Sequence, residues 1–125
     1  MSEAKFSDLV GQALSAIEVR DDEIVFAVEK GAHYRMYHPQ DCCESVTVES
    51  IVGDLLDLIG EPILLAEEST SNENPANADP EKTEYQDSFT WTFYKLATRK
   101  GYVDIRWYGD SNGYYSESVY FDKVR

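Results

Sequence analysis

At 125 residues, with 42% hydrophobic and 13% aromatic side chains, the chain has the size and composition of one globular domain and is too apolar to be disordered. Its formal charge of −13 works against direct contact with nucleic acid or an anionic membrane. The longest apolar runs, such as Ile63 to Ala66, fall far short of a membrane span, and Met1-Ser2-Glu3-Ala4-Lys5 lacks the apolar stretch of a signal peptide, so the expected compartment is the cytoplasm.

The first residues read as a loose end, followed by a helical turn over 6–11 with Ser7 or Asp8 as cap and Gly11 as stop. Residues 14–20 and 23–30 read as strands joined at Asp21-Asp22, the second with Ile24, Phe26 and Val28 on one side. Gly31 turns the chain into a third strand over 32–38, where Tyr34, Met36 and His38 share a face, completing a meander. Pro39 ends that strand because it has no amide hydrogen to give a ladder. Residues 45–49 resume strand character. Ile51, Leu55, Leu58 and Ile59 recur at helical spacing and predict a short amphipathic helix over 50–59, closed by Gly60. Residues 62–66 read as a buried strand.

Residues 67–87 are rich in acids and amides and hold two prolines, a composition that buries too little surface to offset its ordering entropy. They predict a mobile acidic loop inside the domain. After it, Phe89, Trp91 and Phe93 alternate with Thr90, Thr92 and Tyr94. Lys100-Gly101 makes a turn, and Val103, Ile105 and Trp107 alternate with polar residues. Asn112-Gly113 is the favoured two-residue hairpin signal, which predicts a third strand over 114–121 in the same meander. One face of that meander is expected to be apolar and the other rich in tyrosine and charge. The expected fold is α+β and mostly antiparallel β, with meander sheets forming a small half-open barrel or sandwich and one or two short helices, in a single domain over 1–125.

The charge is unevenly placed. Residues 1–90 hold 20 acids against five bases, whereas residues 91–125 hold four acids against six bases. Between Asp41 and Asp87, 13 acids face Lys82 alone. This concentration predicts a partner-binding acidic surface made by Asp41, Glu44, Glu49, Asp54, Asp57, Glu61, Glu67 and Glu68, attractive to a protein with a basic surface. A second candidate surface, for a partner or a ligand, is the aromatic hairpin with Trp107, Tyr108, Tyr114, Tyr115 and Glu117, because Tyr and Trp are favoured interface anchors.

The run His38-Pro-Gln-Asp41-Cys42-Cys43-Glu44 holds the most reactive side chains. Neighbouring cysteines rarely meet disulfide geometry, so Cys42 and Cys43 read as two free thiols, in keeping with a reducing compartment. Zinc sites use separated ligand pairs, and the carboxylates of Asp41 and Glu44 raise a nearby thiol's pKa. No metal, cofactor or catalytic residue is therefore predicted, and His38, Cys42 and Cys43 stand as a possible ligand site. A small enzyme or nucleotide-binding protein using His38, Asp41, Cys42 and Cys43 is one alternative. A structural homo-oligomer, at its simplest a homodimer, built on the aromatic sheet is another.

Several stretches carry a resemblance over nearly the whole chain except its ends and the loop near 70–86. They are Tyr37-His-Pro-Gln-Asp-Cys-Cys-Glu44-Ser-Val46 and Gly53-Asp-Leu-Leu-Asp-Leu-Ile-Gly60-Glu-Pro-Ile-Leu-Leu-Ala-Glu-Glu68, then Thr90-Trp-Thr-Phe-Tyr-Lys95 and Arg106-Trp-Tyr-Gly-Asp-Ser-Asn-Gly-Tyr-Tyr-Ser-Glu117. Read in order, they resemble a family of small bacteriophage and prophage proteins. The resemblance implies a phage-encoded accessory protein in the cytoplasm of a bacterial host, and brings no activity and no catalytic residues with it. Joined to the acidity, it leads to the expectation of an anti-defence (for example anti-CRISPR) inhibitor. Such a protein binds a host nucleic-acid-binding or defence protein by presenting acid where nucleic acid would sit, without contacting nucleic acid or membrane itself.

Overall fold

The computed structural model describes residues 2–20, 22–75 and 88–124. Among them run nine strands: β1 (Ser2–Glu3), β2 (Leu14–Arg20), β3 (Glu23–Val28), β4 (His33–Tyr37), β5 (Glu44–Val52), β6 (Leu65–Ser71), β7 (Ser88–Thr98), β8 (Gly101–Ser111) and β9 (Tyr120–Lys123). Two short 3-10 turns, Phe6–Leu9 and Leu55–Leu58, are the helical elements. The strands pair antiparallel in two sheets, ordered β1-β9-β4-β3-β2 and β5-β8-β7-β6. The result is the mostly antiparallel β architecture expected, built as a sandwich and not as a closed barrel. No helix among the described residues is long and apolar enough to cross a membrane.

Between the sheets, Ile24, Phe26 and Met36 of the first face Leu96, Val103, Ile105 and Trp107 of the second, all of them buried. The first 3-10 turn inserts Phe6 into this layer. Its ring centroid lies 4.7 Å from Tyr94, 5.4 Å from Phe121 and 6.4 Å from Phe26, so one side chain bridges both sheets. Bridges from Val10 to Ile63 and from Leu14 to Ile59 tie the sheets again beside it.

Three expectations are overturned, and the bounds of a fourth change. The helix over 50–59 does not form, because β5 continues to Val52 and Gly53 then turns at φ +114°. A Cβ at Gly53 would collide with the Tyr102 carbonyl, so the turn needs glycine. Asp54 then caps a single 3-10 turn by accepting from Leu56 N–H. Three residues per turn put Leu55 and Leu58 on one face, which imitates the helical spacing.

The predicted loop over 67–87 is strand for its first five residues, since β6 runs to Ser71; residues 76–87 lie outside the described residues. The third strand of the C-terminal meander is also absent. Asn112-Gly113 does turn the chain, but β9 pairs with β4 in the other sheet. Finally, Phe89, Trp91 and Phe93 face outward: β7 pairs with β8 so that Trp91 lies opposite Tyr108 and Tyr94 opposite Ile105, which turns Thr92, Tyr94 and Leu96 to the core.

Because Phe6 is the wedge between the sheets, Phe6→Ala is expected to lower stability by about 3–5 kcal/mol, the range for emptying a buried aromatic site. Denaturant unfolding monitored by tryptophan fluorescence measures it, and a loss under about 1 kcal/mol would show that the wedge is dispensable.

Candidate functional site

Two places gather the side chains of interest, one buried and one open. The buried place lies where the chain leaves β8. His38 and Glu44 have side chains only 1% exposed, and His38 Nε2 lies 3.1 Å from Glu44 Oε2. His38 Nδ1 lies 2.6 Å from the Ser118 carbonyl, which can only accept, so Nδ1 carries a hydrogen. The other oxygen of Glu44 accepts from the backbone N–H groups of Cys42 (2.8 Å) and Asp41 (3.2 Å). Burial pushes the Glu44 carboxyl up, but the hydrogen bonds from His38, Cys42 and Asp41 outweigh it and hold the group below its ordinary value of 4.5.

Next to this pair, Glu117 lies under a set of hydroxyls. Ser111 Oγ donates at 2.5 Å, Thr90 Oγ1 at 2.7 Å and Ser88 Oγ at 3.3 Å. Glu44 stands opposite Ser111 in the β5–β8 register, so the two carboxylate clusters are neighbours. Gly109 makes room for them: a Cβ there would come within 3.0 Å of the Glu117 carbonyl.

This arrangement answers the sequence-based candidates directly. His38 has both ring nitrogens engaged and no ring nitrogen left for a ligand. Cys42 and Cys43 are bonded to one another, against the expectation of two free thiols. The chain bends at these residues and enters strand only at Glu44, so the two side chains are not held apart by an extended backbone. Glu44 and Glu117, both expected on partner surfaces, are buried and hydrogen-bonded within the fold. Trp107, likewise expected on a surface, is fully buried and its Nε1 donates to Met36 Sδ. Tyr108 packs on Trp91 at 4.7 Å; Tyr114 is 88% exposed and Tyr115 half-buried beside it. No group of three or more His, Cys, Asp or Glu among the described residues is arranged to hold a metal ion.

The open place is the outer face of the second sheet, where the ladders set side chains in rows. One row reads Glu67, Lys95, Asp104 and Val52 across β6, β7, β8 and β5; the next reads Ser69, Phe93, Arg106 and Ser50. Together they line a groove of about 450 Å³. Phe93 is half-buried there. Arg106 is held by both oxygens of Glu49, at 2.8 and 2.9 Å, and its guanidinium lies 5.1 Å from the Trp91 ring. Trp91 is fully buried despite facing outward, with Nε1 donating to Asn74 at 2.9 Å.

The predicted acidic set therefore separates. Glu67 lines the groove, and Glu49 holds the groove's Arg106. Glu68 points to the other side of β6, where burial first and the Glu68 carboxylate second push the Tyr94 phenol well above its ordinary value. Asp54 is spent as a cap, Glu61 pairs with Arg99 at 2.8 Å, and Asp57 lies against Gly101. Asp41 is exposed on the bend before β5. Phe93, Lys95 and Asp104 were missed, although the alternation of β7 and β8 was the signal that groups them.

Residues 7–121 match the family model described as Domain of unknown function (DUF7448), and the chain belongs to that family. No curated protein and no solved structure matches.

The Glu44 geometry fixes a pH dependence. A carboxyl held lower in the folded state than in the unfolded chain stabilises the fold above the ordinary value of 4.5, and that contribution is lost as pH falls through the folded-state value. Glu44→Gln is expected to cost on the order of 1–3 kcal/mol at neutral pH, by weakening the bond to His38, and to flatten the loss of stability below that value. Urea unfolding at a series of pH values checks both, and an unchanged acid slope would remove Glu44 from the account.

Proposed function

We propose that this member of the DUF7448 family acts by binding, and that its partner is a protein with a basic surface held on the outer face of the second sheet. The observation that carries the reading is the groove itself: an aromatic floor, Phe93, lined by Glu67, Glu68 and Asp104 with Lys95 and with Arg106, the last held by Glu49, on a four-stranded sheet. Aromatic anchors beside charge are what interfaces use for affinity and orientation. Acids outnumber bases there, and the whole chain at −13 extends an attractive field toward cationic surfaces.

Catalysis finds less support. The one buried histidine is enclosed by Glu44 and the Ser118 carbonyl, so a proton-transfer role would require dismantling a structural network. The resemblance to bacteriophage and prophage proteins supports a phage-encoded accessory role in the cytoplasm of a bacterial host. There the partner is a nucleic-acid-binding or defence protein whose basic cleft the acidic groove occupies in place of nucleic acid.

Affinity purification from a bacterial lysate, with the wild-type chain and a Glu67→Lys/Asp104→Lys double variant as baits, tests this. The wild type is expected to retain a basic nucleic-acid-binding protein that salt elutes and DNA displaces. The variant is expected to lose it by about tenfold or more while melting at the same temperature. Equal capture by both baits would exclude the groove.

A further inference from the structure

The reading of the protein as a binder of a basic partner says which face is used, but not how the partner's chain lies on it. Strand β6 supplies that. It is an edge of the second sheet, paired to β7 along Leu65–Ser71. The 3-10 turn Phe6–Leu9 packs against the start of β6, and beside it Gly11 N–H donates to the Ile63 carbonyl and Ile63 N–H to the Gln12 carbonyl. From Glu67 to Thr70 every residue is exposed.

A cavity lies on each side of this edge. On the outer side is the groove with Phe93, Lys95 and Asp104. On the inner side, between β6 and β9, is a cleft of about 590 Å³ floored by Phe6, Ala66 and Phe121. Among the described residues its rim sets Glu3, Glu68 and Asp122 against the single cation Lys5, with Asp122 also accepting from the Tyr37 hydroxyl at 2.6 Å. Glu68 lines both. Behind it the Tyr94 hydroxyl is buried and faces the Glu68 carboxylate.

We propose that β6 is a docking edge, and that an extended segment of the partner with Lys or Arg at alternate positions pairs with Glu67–Ser71 as a fifth strand of the second sheet. Strand addition satisfies the outward backbone groups of an edge, and side chains of an added strand alternate between faces. One set of the partner's side chains then enters the outer groove beside Glu67. The other enters the inner cleft, where a lysine or arginine stem lies along Phe6 and Phe121 and its charged end meets Glu68 and Asp122. A second copy of this chain fits poorly, because β6 against β6 doubles the carboxylates on one short edge.

Two short synthetic peptides test this on the full chain, one alternating Lys and Val and one alternating Glu and Val, with amide hydrogen exchange followed residue by residue. The lysine peptide is expected to bind and to slow exchange in Glu67–Ser71, and the glutamate peptide to do neither. Glu68→Gln should weaken the lysine peptide by about threefold to tenfold. Of Ser69→Pro and Thr70→Pro, the one whose N–H faces away from β7 should keep the wild-type melting temperature and lose binding by about tenfold or more.

Binding of the lysine peptide that perturbs Phe93 and Lys95 without protecting β6 would overturn the edge and leave the groove reading intact. Protection of β6 by the chain alone at rising concentration would identify a second copy as the occupant and overturn the proposal. Failure of the underlying reading looks different: neither the peptide nor a basic host protein binds at any surface.

Discussion

Three hydroxyls, from Ser88, Thr90 and Ser111, donate to the Glu117 carboxylate, and His38 donates to the carbonyl of the next residue, Ser118. These bonds set where the chain departs from the second sheet. A carboxylate taken out of water needs several donors to compensate its lost hydration, and the inner ends of β7 and β8 provide them. Having been drawn inward over Gly109, the chain is aimed across the sandwich and enters the first sheet as β9, between β4 and β1. Without that crossing β9 would be free to follow Asn112-Gly113 back along β8 as an ordinary hairpin strand. Phe121 would then not reach Phe6, Phe26 and Tyr34.

The crossing has a consequence on the far side of the sheet. With β9 spent elsewhere, β8 pairs with β5 on its other flank, and the second sheet presents a full four-stranded face to solvent. The large aromatic residues of β7 stand on that face. Trp91 is made tolerable by the Arg106 guanidinium, the Tyr108 ring and the Asn74 side chain, so most of its apolar area is covered by neighbours on its own face. Phe93, one row further along, receives less cover and becomes the floor of the groove. The architecture that buries one aromatic thus exposes its neighbour.

Much of this was legible. The meander of β2, β3 and β4 follows from alternation in Ile24, Phe26 and Val28 and in Tyr34 and Met36, and the β7–β8 hairpin from its turn. The face of β7 was legible too, though it takes a second step to read. Val103, Ile105 and Trp107 must be core, and a two-residue turn near residue 100 pairs odd positions of β8 with even positions of β7. Thr92, Tyr94 and Leu96 are then inside, whatever their polarity beside Trp91. The role of Glu117 was not legible, because its donor Thr90 is 27 residues away. Glu44 has its partners close in sequence, but the His38 ring it meets is held by the Ser118 carbonyl, 80 residues from His38. A glutamate in a polar stretch looks solvated until the fold brings donors to it. The spacing of Leu55 and Leu58 misled for the opposite reason, since a 3-10 turn and an α-helix both place such residues on one face.

The net charge acquires a more specific meaning once the strands are placed. An exposed edge such as β6 invites any extended chain, including another copy of the protein. Proteins commonly guard such edges with lysine or proline; here the guards are Glu67 and Glu68, one on each face of the strand. Because they share one sign, they discourage self-pairing and acidic segments while remaining attractive to basic ones. Lysine in the same places would have protected the edge as well but reversed the choice of partner. The alternation of a strand also sets two adjacent glutamates on opposite faces, which a helix of the same sequence would not do. On the proposed reading, the acidity near β6 is a selective property of an edge and not only a contribution to solubility.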